Sequence, residues 1–275
     1  MTDDVARIAE NLAEVRRRIA DAAARSGRTA DAVTLVAVTK YVSADVTRLL
    51  VEAGCRDLGE SRPQLLWEKA AALGTVPTFA SAKMGLSPLP GSLRWHLIGH
   101  LQRNKVRRTL PLLAMLHSVD SERLLAAIDE ELQGKGTEVI AAKDPMPLDD
   151  RSRQPPPSPS RPGPLPVLLE VNISAEQAKH GFAPGEIAPF LASAADYRHV
   201  SIRGLMGMAS LEGGIDVARR EFAALRELRD HLRANCPPQV TLDELSMGMS
   251  GDFEAAIEQG ATIVRIGSAL FEGAQ

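Results

Sequence analysis

Eight short runs of β-branched and aliphatic residues alternate with segments of helical periodicity along this chain. Several runs are almost continuously apolar, as parallel strands are when both faces of their sheet are covered. Eight strands with crossover helices in 275 residues predict one α/β domain over residues 1–275, a (β/α)8 TIM barrel. An open doubly wound sheet is the alternative. The predicted strands span residues 33–39, 56–59, 93–99, 115–119, 166–173, 201–208, 240–246 and 262–266. The helical patterns span residues 44–54, 64–73, 101–114, 121–133, 185–197, 216–234 and 252–259.

An extra amphipathic helix precedes the first predicted strand, and Gly27 is its predicted stop. Its apolar residues recur every three or four positions and share one face: Val5, Ile8, Leu12, Val15 and Ile19. Acidic residues at the start, and the lack of a continuous apolar core, distinguish this segment from a secretory signal. No run reaches the roughly 18 apolar residues of a membrane span. We therefore expect a cytoplasmic protein that does not associate with membranes.

The charge balance argues against one class of partner. The chain has 32 Lys plus Arg against 35 Asp plus Glu, a formal net charge of −3. A generic nucleic-acid binder needs a basic surplus for its phosphate contacts. The two cysteines, Cys55 and Cys236, are too few for a disulfide framework or a four-ligand metal site. We therefore expect a reducing compartment and no nucleic-acid partner.

One segment departs from the alternating pattern. Residues 143–166 read KDPMPLDDRSRQPPPSPSRPGPLP and contain half of the 18 prolines. Such a sequence buries too little apolar surface to fold and favours extended polyproline II backbone. We predict a proline-rich, disordered surface insertion at about 143–165. Residues 75–92 are predicted as a second, shorter insertion.

In a parallel barrel, functional side chains gather at the C-terminal ends of the strands. Lys40 ends the first predicted strand. Its amine is either a solvated strand end or a desolvated group that forms a Schiff base with an aldehyde or ketone. His96 and His100 alternate with other residues around the end of the third strand, so we expect both imidazoles on one side of it. Two histidines are too few for a catalytic zinc site, and we predict no metal site.

The last two predicted strands end in turns suited to an anion. Loops at these two positions of a barrel often bind phosphate through backbone N–H groups; simple turn chemistry is the alternative. Arg265 lies within the apolar eighth strand and is costly there unless it is paired. An amine together with a phosphate cradle suggests an aldehyde-bearing phosphate, a description that pyridoxal 5′-phosphate (PLP) fits. The small residues of the two turns are Ser246, Gly248, Ser250, Gly251, Gly267 and Ser268.

Long motifs connect the chain to a known family. They read AVTK ending at Lys40, LGESRPQ at 58–64, WHLIGHLQRNK at 95–105, LLEVNIS at 168–174, KHG at 179–181, RGLMGMA at 203–209, LSMGMSGDFEAAI at 245–257 and VRIGSALF at 264–271. With these motifs the chain resembles the pyridoxal phosphate homeostasis proteins, the YggS/PROSC family. The resemblance covers nearly the whole chain apart from the two predicted insertions.

The resemblance implies a barrel similar to the N-terminal domain of alanine racemase, without a C-terminal β domain. It implies a PLP-binding protein of intracellular PLP homeostasis, without catalytic turnover. Lys40 matches the lysine that holds PLP as a Schiff base, and Arg265 matches the arginine that faces the pyridine nitrogen. PLP-dependent enzymes follow as recipients of the cofactor, and we expect a monomer. The implied cofactor-binding residues are Lys40, Ser61, His100, Asn172, Met206, Ser246, Met247, Gly248, Ser250, Arg265, Gly267 and Ser268.

Two positions depart from the family pattern. Ser61 stands where the family usually has Asn, and its shorter side chain puts one contact to the cofactor in doubt. Gly207 stands where the family usually has Thr, so we expect a hydroxyl to be missing from the cofactor face.

Two enzymatic alternatives remain: a PLP-dependent racemase-like enzyme, and a Schiff-base aldolase that uses Lys40 directly on its substrate. Racemases of this fold take a second acid/base tyrosine from the C-terminal domain of a partner subunit. This chain has only Tyr41 and Tyr197. If the first strand continues past Lys40, Tyr41 points to the opposite side from the amine.

Overall fold

The structure is a computed structural model that describes residues 2–74, 93–134, 163–174, 180–210, 212–237 and 240–274. The predicted insertion at 75–92 lies outside the described residues, and so does nearly all of the proline-rich insertion. Both insertions therefore stay predictions.

A closed barrel of eight parallel strands forms the centre of the fold and confirms the predicted (β/α)8 architecture. Each strand pairs with the next one along the chain, and the first strand closes the ring by pairing with the last. The strands are β1 (Thr34–Val38), β2 (Asp57–Glu60), β3 (Arg94–Leu97), β4 (Leu113–Val119), β5 (Leu165–Val171), β6 (Val200–Gly207), β7 (Glu244–Ser246) and β8 (Ile263–Ile266).

Helices follow the strands in the predicted order, and within the described residues none is long and apolar enough to cross a membrane. The predicted helix at 101–114 is shortened to a single α-turn between two 3-10 turns, because Pro111 lacks the N–H that would continue it. The helices are α1 (Thr2–Arg25), α2 (Ala44–Glu52), α3 (Pro63–Ala72), α4 (Val106–Thr109), α5 (Glu122–Leu132), α6 (Ile187–Ser193), α7 (Gly214–Arg233), α8 (Phe253–Glu258) and α9 (Ser268–Phe271).

Helix α1 packs against the last two helices of the chain. Arg25 Nε lies 2.8 Å from Glu258 Oε1 of α8, and Asn11 Nδ2 donates to Leu270 O of α9 over 3.3 Å. The predicted apolar face is confirmed except at Val5, which is 38% exposed. Gly27 has a left-handed φ of +70° and ends the helix region as predicted. The four buried residues of this face are Ile8, Leu12, Val15 and Ile19.

Five strands, β1, β3, β5, β7 and β8, are shorter than predicted, and two of them precede candidate site residues. Strand β7 holds only three residues, because Leu242 has a φ of 49° and this left-handed conformation interrupts the extended backbone. Strand β1 ends at Val38 and strand β3 ends at Leu97. Lys40 and His100 therefore follow their strands instead of belonging to them.

The strand residues divide between two faces, since neighbours paired in register point the same way. One face packs against the surrounding helices in the main core. The other face points into the barrel and holds a small apolar cluster of Val36, Leu168, Met206 and Ile263. Polar side chains share this inner face, because Arg265 is paired with Val36 and Ser246 is paired with Met206. The barrel interior is therefore partly apolar and partly polar.

Candidate functional site

Lys40, the predicted Schiff-base lysine, lies in the loop directly after β1. Its side chain is half-buried, and its Nζ lies 4.8 Å from the centroid of the Tyr41 ring. The strand ends at Val38 and does not continue to Tyr41, so the condition under which this ring would point away from the amine is not met. Tyr41 is 89% exposed, and an exposed cation–π contact contributes only about 0.5–1 kcal/mol. The Tyr41 ring therefore restrains the Lys40 amine only weakly, and the amine is accessible to a ligand.

A buried ion pair fixes the backbone next to Lys40. Lys69 Nζ of α3 donates to Thr39 O and to Glu60 Oε1, each over 2.5 Å. Thr39 Oγ1 donates to the same Glu60 oxygen over 2.7 Å. Glu60 is fully buried and Lys69 is 5% exposed, so water screens the pair little. Sequence analysis missed this pair; the available signal was a lysine three residues after Leu66 on the buried face of α3.

Arg265 of β8 is a buried cation in the barrel interior. Its Nη1 donates to Ser246 Oγ over 2.7 Å, and its Nη2 donates to Gly207 O over 3.1 Å. Burial lowers the pKa of Arg265 to about 10, which leaves the guanidinium protonated at neutral pH. The charges of Glu170 and Asp252 oppose that decrease. Strand β8 is paired with β1, so Arg265 lies beside the strand that Lys40 follows.

The hydroxyl group of Ser250 connects the turn after β7 to the turn after β8 by hydrogen bonds. Ser250 Oγ accepts from the backbone N–H of Gly267 over 3.3 Å and from that of Ala269 over 3.4 Å. Both bonds are long and therefore weak. Gly248 has a φ of +92°, and a Cβ there would lie 2.6 Å from the Cβ of Ala256, so this turn requires glycine. Ser268, the remaining predicted residue of these turns, is exposed.

Glu170 of β5 is an interior carboxyl group that sequence analysis missed. It is 7% exposed and is paired in register with Met206, so it points into the barrel. Burial raises the pKa of Glu170 to about 7, and the charge of Asp120 acts in the same direction. The charges of Arg265 and His100 act against the increase. A group that titrates near neutral pH inside a site is a recognised mark of function.

His100 lies at the mouth of the barrel with two partners. Its Nδ1 is 2.7 Å from Asp120 Oδ2, and its ring stacks on that of His180 with the centroids 5.0 Å apart. One potential ligand atom from each of these residues lies within 4.8 Å of the others, so the absence of a metal site stays a prediction. His100 and Ser61 also line a pocket of about 470 Å³.

His96 is buried whereas His100 is exposed, and the expectation that both imidazoles lie on one side of the strand stays a prediction. Strand alternation stops at Leu97 and does not extend to His100. The His96 ring is buried, and its Nε2 is 2.9 Å from Asp57 Oδ1 of β2. Its Nδ1 is 2.9 Å from Nε2 of His117, a residue that sequence analysis did not single out.

The remaining predicted cofactor-binding residues do not share one environment. Met206 belongs to the apolar cluster inside the barrel, whereas Met247 is fully buried in the main core, so only its backbone can face a ligand. Asn172 follows β5, is half-buried, and donates its backbone N–H to Phe182 O over 3.0 Å. A Cβ on Gly207 would lie 2.9 Å from Leu225 Cδ2, in the direction of α7. The expectation that Gly207 removes a hydroxyl from the cofactor face is therefore wrong.

The geometry thus places an accessible amine, a buried guanidinium and a pair of turn N–H groups at adjoining strands of one barrel. The chain matches the family described as "Alanine racemase, N-terminal domain" over residues 4–275. It is 34% identical over 263 residues to the pyridoxal phosphate homeostasis protein of Aquifex aeolicus, with 95% of this chain and 96% of the relative covered. The chain belongs to the pyridoxal phosphate homeostasis protein family.

Two solved structures are similar to this chain over nearly its whole length. A protein of unknown function from Bifidobacterium adolescentis superposes with a TM-score of 0.77 at 32% identity, covering 98% of this chain and 97% of that one. The structure of PipY of Synechococcus elongatus with PLP bound has a TM-score of 0.71 at 29% identity, and the similarity covers 96% of this chain and 99% of PipY. Both similarities extend over the entire barrel.

Proposed function

We propose that this chain binds PLP, holds it as a Schiff base on Lys40, and acts in intracellular PLP homeostasis without turning over a substrate. The relatives named for PLP homeostasis and the PLP-bound structure of PipY support the choice of cofactor. Within this chain, the proposal rests chiefly on Arg265. This buried cation lies beside the strand that Lys40 follows, and its pKa of about 10 keeps it charged at neutral pH.

The residues present fit the three recognition elements of PLP. The amine of Lys40 suits an aldehyde. The N–H groups of Gly267 and Ala269 donate to Ser250 Oγ only weakly, over 3.3 and 3.4 Å, so both are available to phosphate oxygens. Arg265 carries five N–H donors and uses two of them on Ser246 and Gly207, leaving three for which the described residues supply no acceptor. A pyridine nitrogen with a free lone pair is an acceptor of the right kind.

When bound, PLP supplies an aldehyde carbon that forms a C=N bond with a primary amine and releases one water. The chain supplies the amine of Lys40 and holds the loop before it through the Lys69 contact to Thr39 O. Arg265 donates to the ring nitrogen and, as a cation, disfavours protonation of that nitrogen. A ring that stays unprotonated is a weaker electron sink, which suits storage and transfer more than catalysis.

The two tyrosines of the chain support a binding role. Racemisation needs an acid/base group on each side of the reacting carbon. Tyr41 is 89% exposed, and the Tyr197 hydroxyl donates to Glu122 Oε1 of α5 over 3.2 Å, outside the barrel. Neither tyrosine is fixed opposite Lys40. Delivery to PLP-dependent apoenzymes remains part of the proposal.

The decisive experiment compares Lys40→Ala and Lys40→Arg with the unsubstituted protein. Lys40→Arg keeps the positive charge but cannot form a Schiff base. We expect the unsubstituted protein to show visible Schiff-base absorbance with PLP, and borohydride to fix the cofactor on the peptide that contains Lys40. Both variants should lose this absorbance while keeping their far-ultraviolet circular dichroism and melting temperature. A borohydride-stable adduct on another single lysine of either variant would refute the assignment.

A further inference from the structure

A chain of hydrogen-bonded side chains crosses the barrel interior and ends at Arg265. Arg265 Nη1 lies 2.7 Å from Ser246 Oγ, which lies 2.9 Å from His117 Nδ1. His117 Nε2 lies 2.9 Å from His96 Nδ1, and His96 Nε2 lies 2.9 Å from Asp57 Oδ1. The five residues come from β8, β7, β4, β3 and β2, and each is buried.

The charges at the two ends set the direction of the two terminal hydrogen bonds. Arg265 has only donors, so Ser246 Oγ accepts from it. Asp57 Oδ1 accepts at the other end, because Arg94 pairs with this carboxylate and holds it ionised. The pKa of Asp57 is lowered by the hydrogen bonds from His96 and Arg94, which outweigh the effect of its burial.

Both imidazoles fit between these ends as neutral rings. The Ser246 hydroxyl then donates to His117 Nδ1, His117 Nε2–H donates to His96 Nδ1, and His96 Nε2–H donates to Asp57. An imidazolium here would be a second buried cation near Arg265, while Arg94 already neutralises Asp57. Burial lowers the pKa of His117 well below its usual range, and the charge of Arg265 acts in the same direction.

We propose that His117 and His96 are positioning residues that orient Ser246, and that Ser246 serves to hold Arg265 and not to bind the cofactor's phosphate. The inference rests on the proposed function, since it concerns how the chain presents Arg265 to PLP. Ser246 is fully buried, and its hydroxyl both accepts from Arg265 and donates to His117. The hydroxyl that accepts a hydrogen bond from the backbone N–H of Gly267, in the turn after β8, belongs instead to Ser250.

The first test reads the hydrogen-bond direction in ligand-free protein. Nitrogen-15 NMR of the histidine side chains at neutral pH should show His117 and His96 as neutral rings, each protonated at Nε2 and bare at Nδ1. An imidazolium at His96, or a proton on His117 Nδ1, would overturn the proposed direction. This result does not depend on PLP, so failure of the proposed function and failure of this inference are distinguishable.

The second test uses two substitutions of nearly equal size at His117. His117→Asn keeps an acceptor oxygen near the position of Nδ1, whereas His117→Leu leaves the Ser246 hydroxyl without one. We expect His117→Leu to weaken PLP binding about tenfold, the effect of losing one buried hydrogen bond, and His117→Asn to stay within about threefold of the unsubstituted protein. Equal affinity in both variants would overturn the positioning role, because a merely structural site accepts the apolar residue at least as well. Ser246→Ala, measured alongside, should weaken binding of PLP and of pyridoxal, which has no phosphate, by the same factor. A larger loss for PLP than for pyridoxal would overturn the inference that Ser246 does not bind the phosphate.

Discussion

A guanidinium inside a barrel is stable only when acceptors and counter-charges surround it, and Arg265 has both. Ser246 Oγ and Gly207 O accept hydrogen bonds from the guanidinium, and the charges of Glu170 and Asp252 favour its ionised form. The residue is therefore a fixed cation and not a proton donor at neutral pH. The fixed positive charge of Arg265 therefore disfavours protonation of a ring nitrogen bound beside it.

The charge of Arg265 leads to a prediction about exchange at the Cα of amino acids. With saturating PLP in D2O, we expect slow deuterium incorporation in the unsubstituted protein, because a cation beside the ring nitrogen disfavours the protonated, electron-accepting ring. Arg265→Glu should exchange faster per bound cofactor and bind PLP more weakly, whereas Arg265→Lys should stay slow. Proton NMR of the Cα signal measures the rate. Exchange in the unsubstituted protein as fast as in a dedicated racemase would contradict the binding role.

Glu170 leads to a prediction about stability and pH. Its folded pKa of about 7 lies above the ordinary value of 4.5, so between these values the folded state keeps a proton that the unfolded state has released. The free energy of unfolding must therefore fall as the pH rises through this window. Glu170→Gln removes this contribution and should be more stable than the unsubstituted protein at pH 8 by up to about 3 kcal/mol, but not at pH 4. Urea unfolding of both proteins at several pH values measures the difference, and parallel curves would show that Glu170 ionises normally.

Sequence reasoning found the site residues that interrupt a pattern. Lys40 ends an apolar run, Arg265 breaks one, and the glycine turns follow two others. It missed residues whose importance comes from a distant partner. His117 meets Ser246, 129 positions further along the chain, and hydrophobic periodicity carries no information about which inward-facing residues meet. Glu170 was missed for the same reason, since its pKa depends on burial and on Asp120.

At the scale of elements, the ion pair between α3 and β2 fixes the end of β1. Lys69→Met should lower the free energy of unfolding by about 3–5 kcal/mol, because it leaves the buried Glu60 carboxylate without its counter-charge. The double variant with Glu60→Gln should recover much of the loss. Arg17→Met, which breaks an exposed pair with Glu14 on α1, is the matched control and should leave the melting temperature unchanged. Equal effects of the two single substitutions would mean that the buried pair is dispensable.

The order and type of the elements were predictable, whereas their ends were less so. Alternation of apolar runs with helical patterns requires only local information, and it predicted all eight strands. The ends depend on single backbone conformations, such as the φ of 49° at Leu242 that shortens β7. Strand β3 likewise ends at Leu97, two residues before its predicted end, so His100 lies in the loop after the strand.

At the scale of the whole molecule, the monomer expected from sequence stays a prediction. Among the described residues, the exposed large apolar side chains are Val5, Tyr41 and Ile215. They belong to α1, to the loop after β1 and to α7, and they do not make up a continuous apolar stripe on one element.

The proline-rich insertion leads to the last prediction, that deleting residues 149–163 leaves PLP affinity and melting temperature nearly unchanged. The strand that follows is anchored without it: Leu165 N–H donates to His199 O over 2.9 Å, and β5 pairs with both β4 and β6. Shortening a long surface loop changes its closure entropy by only about 0.6 kcal/mol per halving. Thermal melting and PLP titration of the deletion variant measure both quantities. A matched deletion that removes three residues of β5 itself should unfold the protein. A marked loss of affinity in the loop deletion alone would mean that the insertion contacts the cofactor site and belongs to the working structure.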